Sequence, residues 1–127
     1  MPTGKWETRW GAIAQDAAST SNANLSIGVA EAQKSKREAG ALALAECRRG
    51  GGKDCKVVFS YHNQCAALAG PVVSEFAKSG GILSAAGAPT EEEARADSIQ
   101  RCGSFSSGQN CTVIYSACSM SQFRPFR

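Results

Sequence analysis

The sequence has no long apolar run, only one histidine and little net charge, and each absence excludes a class of function. No stretch approaches the roughly 20 apolar residues of a transmembrane helix, so no membrane-spanning segment is predicted. The net charge of +3 is too small to indicate nucleic-acid binding. His62 alone cannot complete two Cys/His zinc sites, and the cysteine intervals are longer than those of a zinc knuckle. We therefore expect no metal, no cofactor and no nucleic-acid partner.

Motifs that carry catalysis are also missing. No nucleophile elbow or oxyanion motif accompanies the serines. The glycines at 50–52 precede no helix, so they lack the helix N-terminus that binds phosphate. The acidic run at 91–93 fits a first helical turn better than a pair of catalytic carboxylates. A weak hydrolase remains as an alternative, with His62 at its centre and Asp16 at the end of the neighbouring strand. Our prediction is that the protein is not an enzyme.

Cysteine, in contrast, is abundant. Six cysteines in 127 residues predict disulfides and therefore an oxidising compartment. Reduced cysteines in a cytosolic protein are the alternative. The N-terminus, however, lacks the apolar core of a signal peptide. Since the disulfides indicate export, we expect a periplasmic or secreted protein from which the export signal was removed and to which Met1 was added.

One pattern occurs twice along the chain. A helical run ends at Cys47, a glycine-rich turn follows, and Cys55 opens a β-branched run; Cys102 and Cys111 repeat this plan. The offset is about 55 residues, and it also places Ala67-Leu68-Ala69 on Ala12-Ile13-Ala14. The spacing predicts repeat one over 10–64 and repeat two over 65–118 within one domain, with a flexible lead-in over 1–9 and a basic aromatic tail over 119–127.

Local signals place the helices and strands of each repeat. Ser35 with Glu38, and Thr90 with Glu93, have the spacing of capping boxes and predict where the two helices begin. Strands are predicted at 10–14, 56–61, 65–70 and 112–118. A short extended piece is predicted from the alternation of Leu25, Ile27 and Val29, and a turn that packs on the core from Val72, Val73 and Phe76.

The repeat also suggests how the cysteines pair. Cys47–Cys55 and Cys102–Cys111 would each clamp a helix end to the next strand. Cys65 and Cys118 remain, and their bridge would join the two copies near an axis. Fifteen pairings are possible for six cysteines, so symmetry selects among them without proving one.

The predicted fold class is α+β. The order β-α-β, β-α-β suggests a ferredoxin-like sheet, but a Cys65–Cys118 bridge conflicts with that strand order. We therefore expect a two-layer sandwich: an antiparallel sheet of four to six strands with two helices on one face. It would be built from two β-α-β repeats related by a pseudo-twofold axis and stapled by disulfides.

Several segments resemble one family of exported bacterial proteins. They are the opening Trp10-Gly11-Ala12-Ile13-Ala14, the helix that ends in Cys47, Cys55-Lys56-Val57-Val58, and Cys65-Ala66-Ala67-Leu68-Ala69. In this order they resemble the domain of unknown function 4189 over residues 10–118. The resemblance implies a signal-bearing precursor and a secreted or periplasmic location. It implies no catalytic residues.

These observations favour a non-enzymatic exported domain that binds a protein partner. In its most specific form we expect an immunity or inhibitor protein that neutralises a bacterial toxin or hydrolase. The alternative is a secreted effector or cell-envelope factor that acts on host or cell-wall material. Basic and aromatic residues supply the candidate partner-binding side chains: Trp6, Arg48, Arg49, Lys53 and His62.

Overall fold

The computed structural model of the protein describes residues 3–16, 26–71, 83–105 and 111–126. The helices are α1 (Lys36–Arg49) and α2 (Glu91–Phe105). The strands are β1 (Gly4–Glu7), β2 (Trp10–Asp16), β3 (Ile27–Gln33), β4 (Cys55–His62), β5 (Gln64–Pro71), β6 (Ser84–Ala88), β7 (Cys111–Ser119) and β8 (Gln122–Pro125). The predicted turn at Val72, Val73 and Phe76, and Leu25 of the extended piece, lie outside the described residues.

The strands form three antiparallel sheets. β2 lies between β3 and β4, β5 lies between β6 and β7, and β1 pairs with β8. The predicted α+β class and antiparallel pairing are confirmed. The prediction of one sheet of four to six strands is wrong, because no backbone ladder joins the two three-stranded sheets among the described strands.

Each helix covers its own sheet. α1 contacts β2, β3 and β4, whereas α2 contacts β5, β6 and β7. Ala39, Ala43 and Cys47 of α1 are buried against β2 and β3, and they recur every four residues, so they lie on one side of the helix. The prediction of two helices on one face of a shared sheet is therefore wrong.

The central strands of both sheets are buried on both faces. Ala12 and Ala14 of β2 pack under α1, and Ala67 of β5 packs under α2. Ile13 and Leu68 point the opposite way, yet they are 0% and 1% exposed. Contacts of β2 with β7 and of β4 with β5 show that the two sheets meet on these faces. The second apolar face of each sheet is thus covered by the other half of the chain.

The two halves follow the same plan. Each runs β-β-α-β, with its first strand in the centre of its sheet. The last strand of each half carries one extra residue opposite the central strand, Val58 in β4 and Ile114 in β7. These bulges leave both side chains partly exposed, at 49% and 41%. The sequence predicted β-α-β and missed β6, which the glycines and Pro89 around it obscured.

Both helices begin where the capping boxes predict. The Ser35 hydroxyl accepts a hydrogen bond from the Glu38 amide at 3.1 Å, and Thr90 does the same for Glu93 at 3.2 Å. α1 ends at Arg49, and Gly50 caps it. At this end the Ser26 hydroxyl donates to the Cys47 carbonyl at 2.6 Å, which satisfies one of the orphan carbonyls of the last turn.

Three disulfides join Cys47 to Cys55, Cys102 to Cys111 and Cys65 to Cys118. This is the pairing that the repeated cysteine plan suggests. Cys65 and Cys118 face each other in the β5–β7 ladder, so the last strand does end beside Cys65. Their bridge lies within the second half, however, and the expectation that it joins the two copies is wrong.

The segments predicted as lead-in and tail contain the paired strands β1 and β8. Glu7 of β1 lies 3.1 Å from the Arg9 guanidinium and 3.2 Å from that of Arg124, which follows Phe123 in β8. The hydrogen bond from Arg9 is the main cause of the lowered pKa of the Glu7 carboxyl. Arg9 also exchanges hydrogen bonds with Asn63 in the turn between β4 and β5. This network ties the chain ends to the turn that links the two halves.

Candidate functional site

An apolar groove between α1 and β4 is the candidate site. Its volume is about 590 Å³. Gly40 of α1 has no side chain to cover Val57 of β4, and a Cβ atom there would lie 3.6 Å from Val57 Cγ2. We call this surface the α1–β4 groove, and its lining residues are Lys36, Arg37, Gly40, Ala41, Leu44, Val57 and Ser60.

The rim of the groove is basic. Lys36 and Arg37 form its end at the start of α1, and neither has an acidic side chain within ion-pair distance among the described residues. Unpaired cations beside an apolar surface attract a ligand that carries negative charge and apolar groups together. The α1–β4 groove therefore combines an apolar lining with a basic end.

The five residues predicted to bind a partner do not come together. Arg48, Arg49 and Lys53 are exposed at the end of α1 and in the turn after it. Arg49 forms an ion pair with Glu46. Trp6 and His62 lie at the other end of the molecule, because β4 runs its full length between Lys53 and His62. The groove lies between these two groups.

His62 is held by a stacked tryptophan rather than by a catalytic set. It faces Trp10 in the β2–β4 ladder, and the two ring centroids are 4.4 Å apart. Asp16 pairs with Cys55 at the opposite end of β2, about 20 Å away at the usual rise of a strand. The Asp16 carboxylate accepts a hydrogen bond from the Asp54 amide. The expectation that Asp16 lies near His62 is therefore wrong, since the two residues lie at opposite ends of the sheet.

The Trp10–His62 pair has a counterpart in the second half. Cys65 follows Trp10 by 55 positions and Cys118 follows His62 by 56, and they occupy the corresponding ladder positions. A covalent bridge in the second half thus stands where two aromatic rings stack in the first. Both contacts hold the first strand of a half to its last strand.

A second aromatic contact lies on the paired chain ends. Trp6 meets Phe123 edge to face, with ring centroids 5.3 Å apart. Trp6 is 69% exposed even so. Because the Arg9–Asn63 hydrogen bonds hold this end beside His62, Trp6 and His62 share one end of the molecule and remain candidates for a second contact region.

A cluster of polar groups lies where β3 contacts β7. The Tyr115 hydroxyl donates to the Glu31 carboxylate at 2.7 Å, and the Ala32 amide donates to the Ser119 hydroxyl at 3.1 Å. Ala32 has a φ of 56°, a left-handed conformation that alanine rarely adopts. The Tyr61 hydroxyl is buried without a hydrogen bond of ordinary geometry, although Ser119 and Tyr115 lie close enough to affect its pKa.

This cluster predicts how stability changes at alkaline pH. Burial raises the pKa of Tyr61, and burial together with the Glu31 carboxylate raises that of Tyr115. In the unfolded chain both phenols titrate near pH 10, at about the ordinary value. The unfolded state therefore loses protons first, so stability is unaffected below about pH 10 and falls above it. Phenolate absorbance should rise together with the loss of far-ultraviolet circular dichroism.

The chain has two tyrosines, so this signal is clean. Tyr115→Phe should halve the absorbance change and keep its coupling to unfolding. Ionisation of both phenols near pH 10 in a chain that keeps its native dichroism would contradict the prediction.

Sequence reasoning missed the groove itself. The sequence places Gly40 and Leu44 in a helix and Val57 in a strand. It gives no motif for an open surface that results from a missing side chain. The repeat nevertheless contains one signal of the groove. At the offset of 55, Gly40 stands where the second copy has Arg95.

Two further findings concern other kinds of site. Among the described residues, no three His, Cys, Asp or Glu side chains are grouped so that they could hold a metal ion. All six cysteines are in disulfides, so none offers a thiolate. Within the same ranges, neither helix is long and apolar enough to cross a bilayer.

The described residues thus define a disulfide-held α+β domain with an apolar, basic-rimmed groove. The family model described as domain of unknown function (DUF4189) matches residues 10–118. The chain belongs to this family, as the resemblance in the sequence predicted. No curated protein and no solved structure matches the chain.

Proposed function

We propose that this protein is an exported, non-enzymatic domain that binds a partner protein through the α1–β4 groove. The observation that carries the proposal is the groove, an apolar surface between a helix and a strand with unpaired cations at one end. Protein interfaces have this anatomy, with an apolar centre that excludes water and a polar rim that gives specificity. The rigid sheet beneath the groove pre-organises it, which reduces the entropy lost on binding.

Export is supported by the three disulfides. Such bonds persist outside the reducing cytosol, and they suit a small domain whose core is built largely of alanine. An immunity or inhibitor protein that neutralises a toxin or hydrolase is the specific form of this function that we favour. A stable fold with a preformed groove supports that role.

We also propose that the two halves are copies related by a pseudo-twofold axis. Such an axis exchanges β3 with β6 and β4 with β7. The contact of β3 with β7 then maps onto the contact of β6 with β4, and both contacts occur. The matching bulges at Val58 and Ile114 support the same relation. Divergence between copies then lets one groove acquire a function that the other lacks.

The test is a comparison of two immobilised proteins, the natural sequence and the double variant Lys36→Glu/Arg37→Glu, in pull-downs from envelope extracts. We expect the natural sequence to retain a partner in stoichiometric amount. The purified partner should bind the double variant at least about tenfold more weakly, because two attractive charges become repulsive. The matched control Arg48→Glu/Arg49→Glu changes the same charge outside the groove.

If both double variants bind the partner as the natural sequence does, the groove is not the interface. Recovery of no partner would contradict the protein-binding function altogether. Retention of peptidoglycan or host protein in place of a toxin or hydrolase would favour the effector or envelope alternative.

A further inference from the structure

The two halves place corresponding residues around two corresponding surfaces. Gly40 and Arg95 each lie five residues after a helix cap, Ser35 and Thr90 respectively. Across from them, Ser60 of β4 pairs with Ala12, and Ser116 of β7 pairs with Ala67. These ladder partners correspond at an offset of 55 for the alanines and 56 for the serines. The surface between α2 and β7 is therefore the counterpart of the α1–β4 groove.

In the second half, hydrogen bonds of Ser116 with Arg95 and Glu91 cross this surface from β7 to α2. The Arg95 guanidinium donates to the Ser116 hydroxyl at 3.0 Å and to the Glu91 carboxylate at 3.3 Å. The Ser116 hydroxyl donates to the same carboxylate at 2.5 Å, and this bond is the main cause of the lowered pKa of Glu91. A carboxylate is thus held by a serine hydroxyl and a cation between the helix and the strand.

The first half keeps the serine and lacks both the arginine and the acidic occupant. Ser60 stands where Ser116 is, and it lines the groove. Gly40 replaces Arg95, so no side chain at this position spans from helix to strand. Lys36 replaces Glu91, so a cation stands in place of the carboxylate. Among the described residues that line the groove, the Ser60 hydroxyl and the cations Lys36 and Arg37 therefore have no acidic side chain beside them.

We infer that the α1–β4 groove receives an acidic side chain from an apolar segment of the partner protein. This inference rests on the proposed function and names the chemistry of the partner. The carboxylate binds between Lys36 and the Ser60 hydroxyl, in the way that the Glu91 carboxylate binds Arg95 and Ser116. Flanking apolar side chains pack on Leu44 and Val57 in the space that Gly40 leaves open.

Charge complementarity selects this occupant over a second copy of the chain. The acidic cluster of this chain lies in the first turn of α2. Its first member, Glu91, already holds Arg95 and Ser116. Glu92 and Glu93 are exposed, but no large apolar residue stands beside them in the sequence. The acidic cluster therefore cannot also supply side chains that pack on Leu44 and Val57, as an acidic and apolar segment of another protein can.

The experiment is a selection of a phage-displayed random peptide library on three proteins: the natural sequence, Gly40→Leu and Gly40→Ala. Gly40→Leu fills the groove with an apolar side chain and adds no cation that could itself bind a carboxylate. A Cβ at Gly40 lies 3.6 Å from Val57 Cγ2, an ordinary contact, so we expect both variants to fold with a Tm no lower than that of the natural sequence. Gly40→Ala changes the helix without filling the groove.

We expect the natural sequence and Gly40→Ala to enrich peptides with Asp or Glu next to apolar residues, and Gly40→Leu to enrich none of them. A synthetic peptide from this set should bind Gly40→Leu and Lys36→Glu at least tenfold more weakly than the natural sequence. Replacement of its acidic residue by Gln or Asn should weaken binding similarly.

Enrichment without acidic residues, no enrichment at all, or equal binding to Gly40→Leu would each overturn the inference. So would self-association of the natural sequence that Gly40→Leu abolishes, since a second copy would then be the occupant. The pull-down from envelope extracts is a separate readout. A partner retained there by a protein that shows no preference for acidic peptides would sustain the proposed function and reject this inference.

Discussion

Removal of the Cys65–Cys118 bridge is expected to lower the free energy of unfolding by about 4 kcal/mol, the largest loss among the three disulfides. The two cysteines are 53 positions apart, so the bridge closes a long loop in the unfolded chain. The entropy that a cross-link removes from the unfolded state grows with the length of the loop. Urea denaturation of Cys65→Ala/Cys118→Ala, with the other bridges intact, measures this loss.

The two shorter bridges are the controls. Cys47–Cys55 and Cys102–Cys111 span 8 and 9 positions. By the same relation each contributes roughly 2–3 kcal/mol. A loss on removal of Cys65–Cys118 no larger than that for either short bridge would show that loop closure does not decide their ranking. Since a small domain is stable by only about 5–15 kcal/mol, loss of the long bridge removes a large share of its stability.

The features that sequence reasoning recovered have local signals. A capping residue and its partner are three positions apart, so Ser35 and Thr90 marked the helix starts correctly. The cysteine pairing could be predicted because two of the bridges close short loops, and the same loop occurs in both repeats. Glycines and Pro89 obscured strand β6, although the repeat offset of about 55 residues places a counterpart of β3 at this position.

The arrangement of the sheets has no such local signal. Ile13 and Leu68 are buried on sheet faces that no helix covers. The sequences of β2 and β5 show that these faces are apolar, but they do not show whether a helix or another sheet covers them. The pattern therefore fits one sheet or two. Pairing of β1 with β8 joins the two ends of the chain, and neither segment carries an apolar pattern that would predict a partner so distant.

The candidate site was missed for a related reason. Charge and aromatic content pointed to Trp6, Arg48, Arg49, Lys53 and His62, which the fold distributes over two ends of the molecule. The groove instead depends on what one residue lacks. Only the comparison of Gly40 with Arg95 shows that a contact made in one half is left open in the other.

Replacement of Gly28 by alanine is expected to destabilise the protein by about 3 kcal/mol or more, the upper part of the range for an overpacked core. Gly28 lies on β3 beneath α1. A Cβ atom there would overlap the Ala43 carbonyl oxygen and the Cys47 amide nitrogen. Both are backbone atoms, so no side-chain rotation relieves the overlap and the helix itself must move away from the sheet. Chemical denaturation measures the loss.

Gly40→Ala is the matched control, because it adds the same methyl group on α1 itself, where the helix faces β4 and not β3. Its Cβ makes only an ordinary contact with Val57, and alanine favours the helix over glycine, so stability should rise by roughly 0.5–1 kcal/mol. Hydrogen exchange of the α1 amides should quicken in Gly28→Ala and not in Gly40→Ala. A fully stable Gly28→Ala would contradict the close approach of α1 to β3. That approach fixes the helix over its sheet, and the α1–β4 groove depends on this placement for its shape.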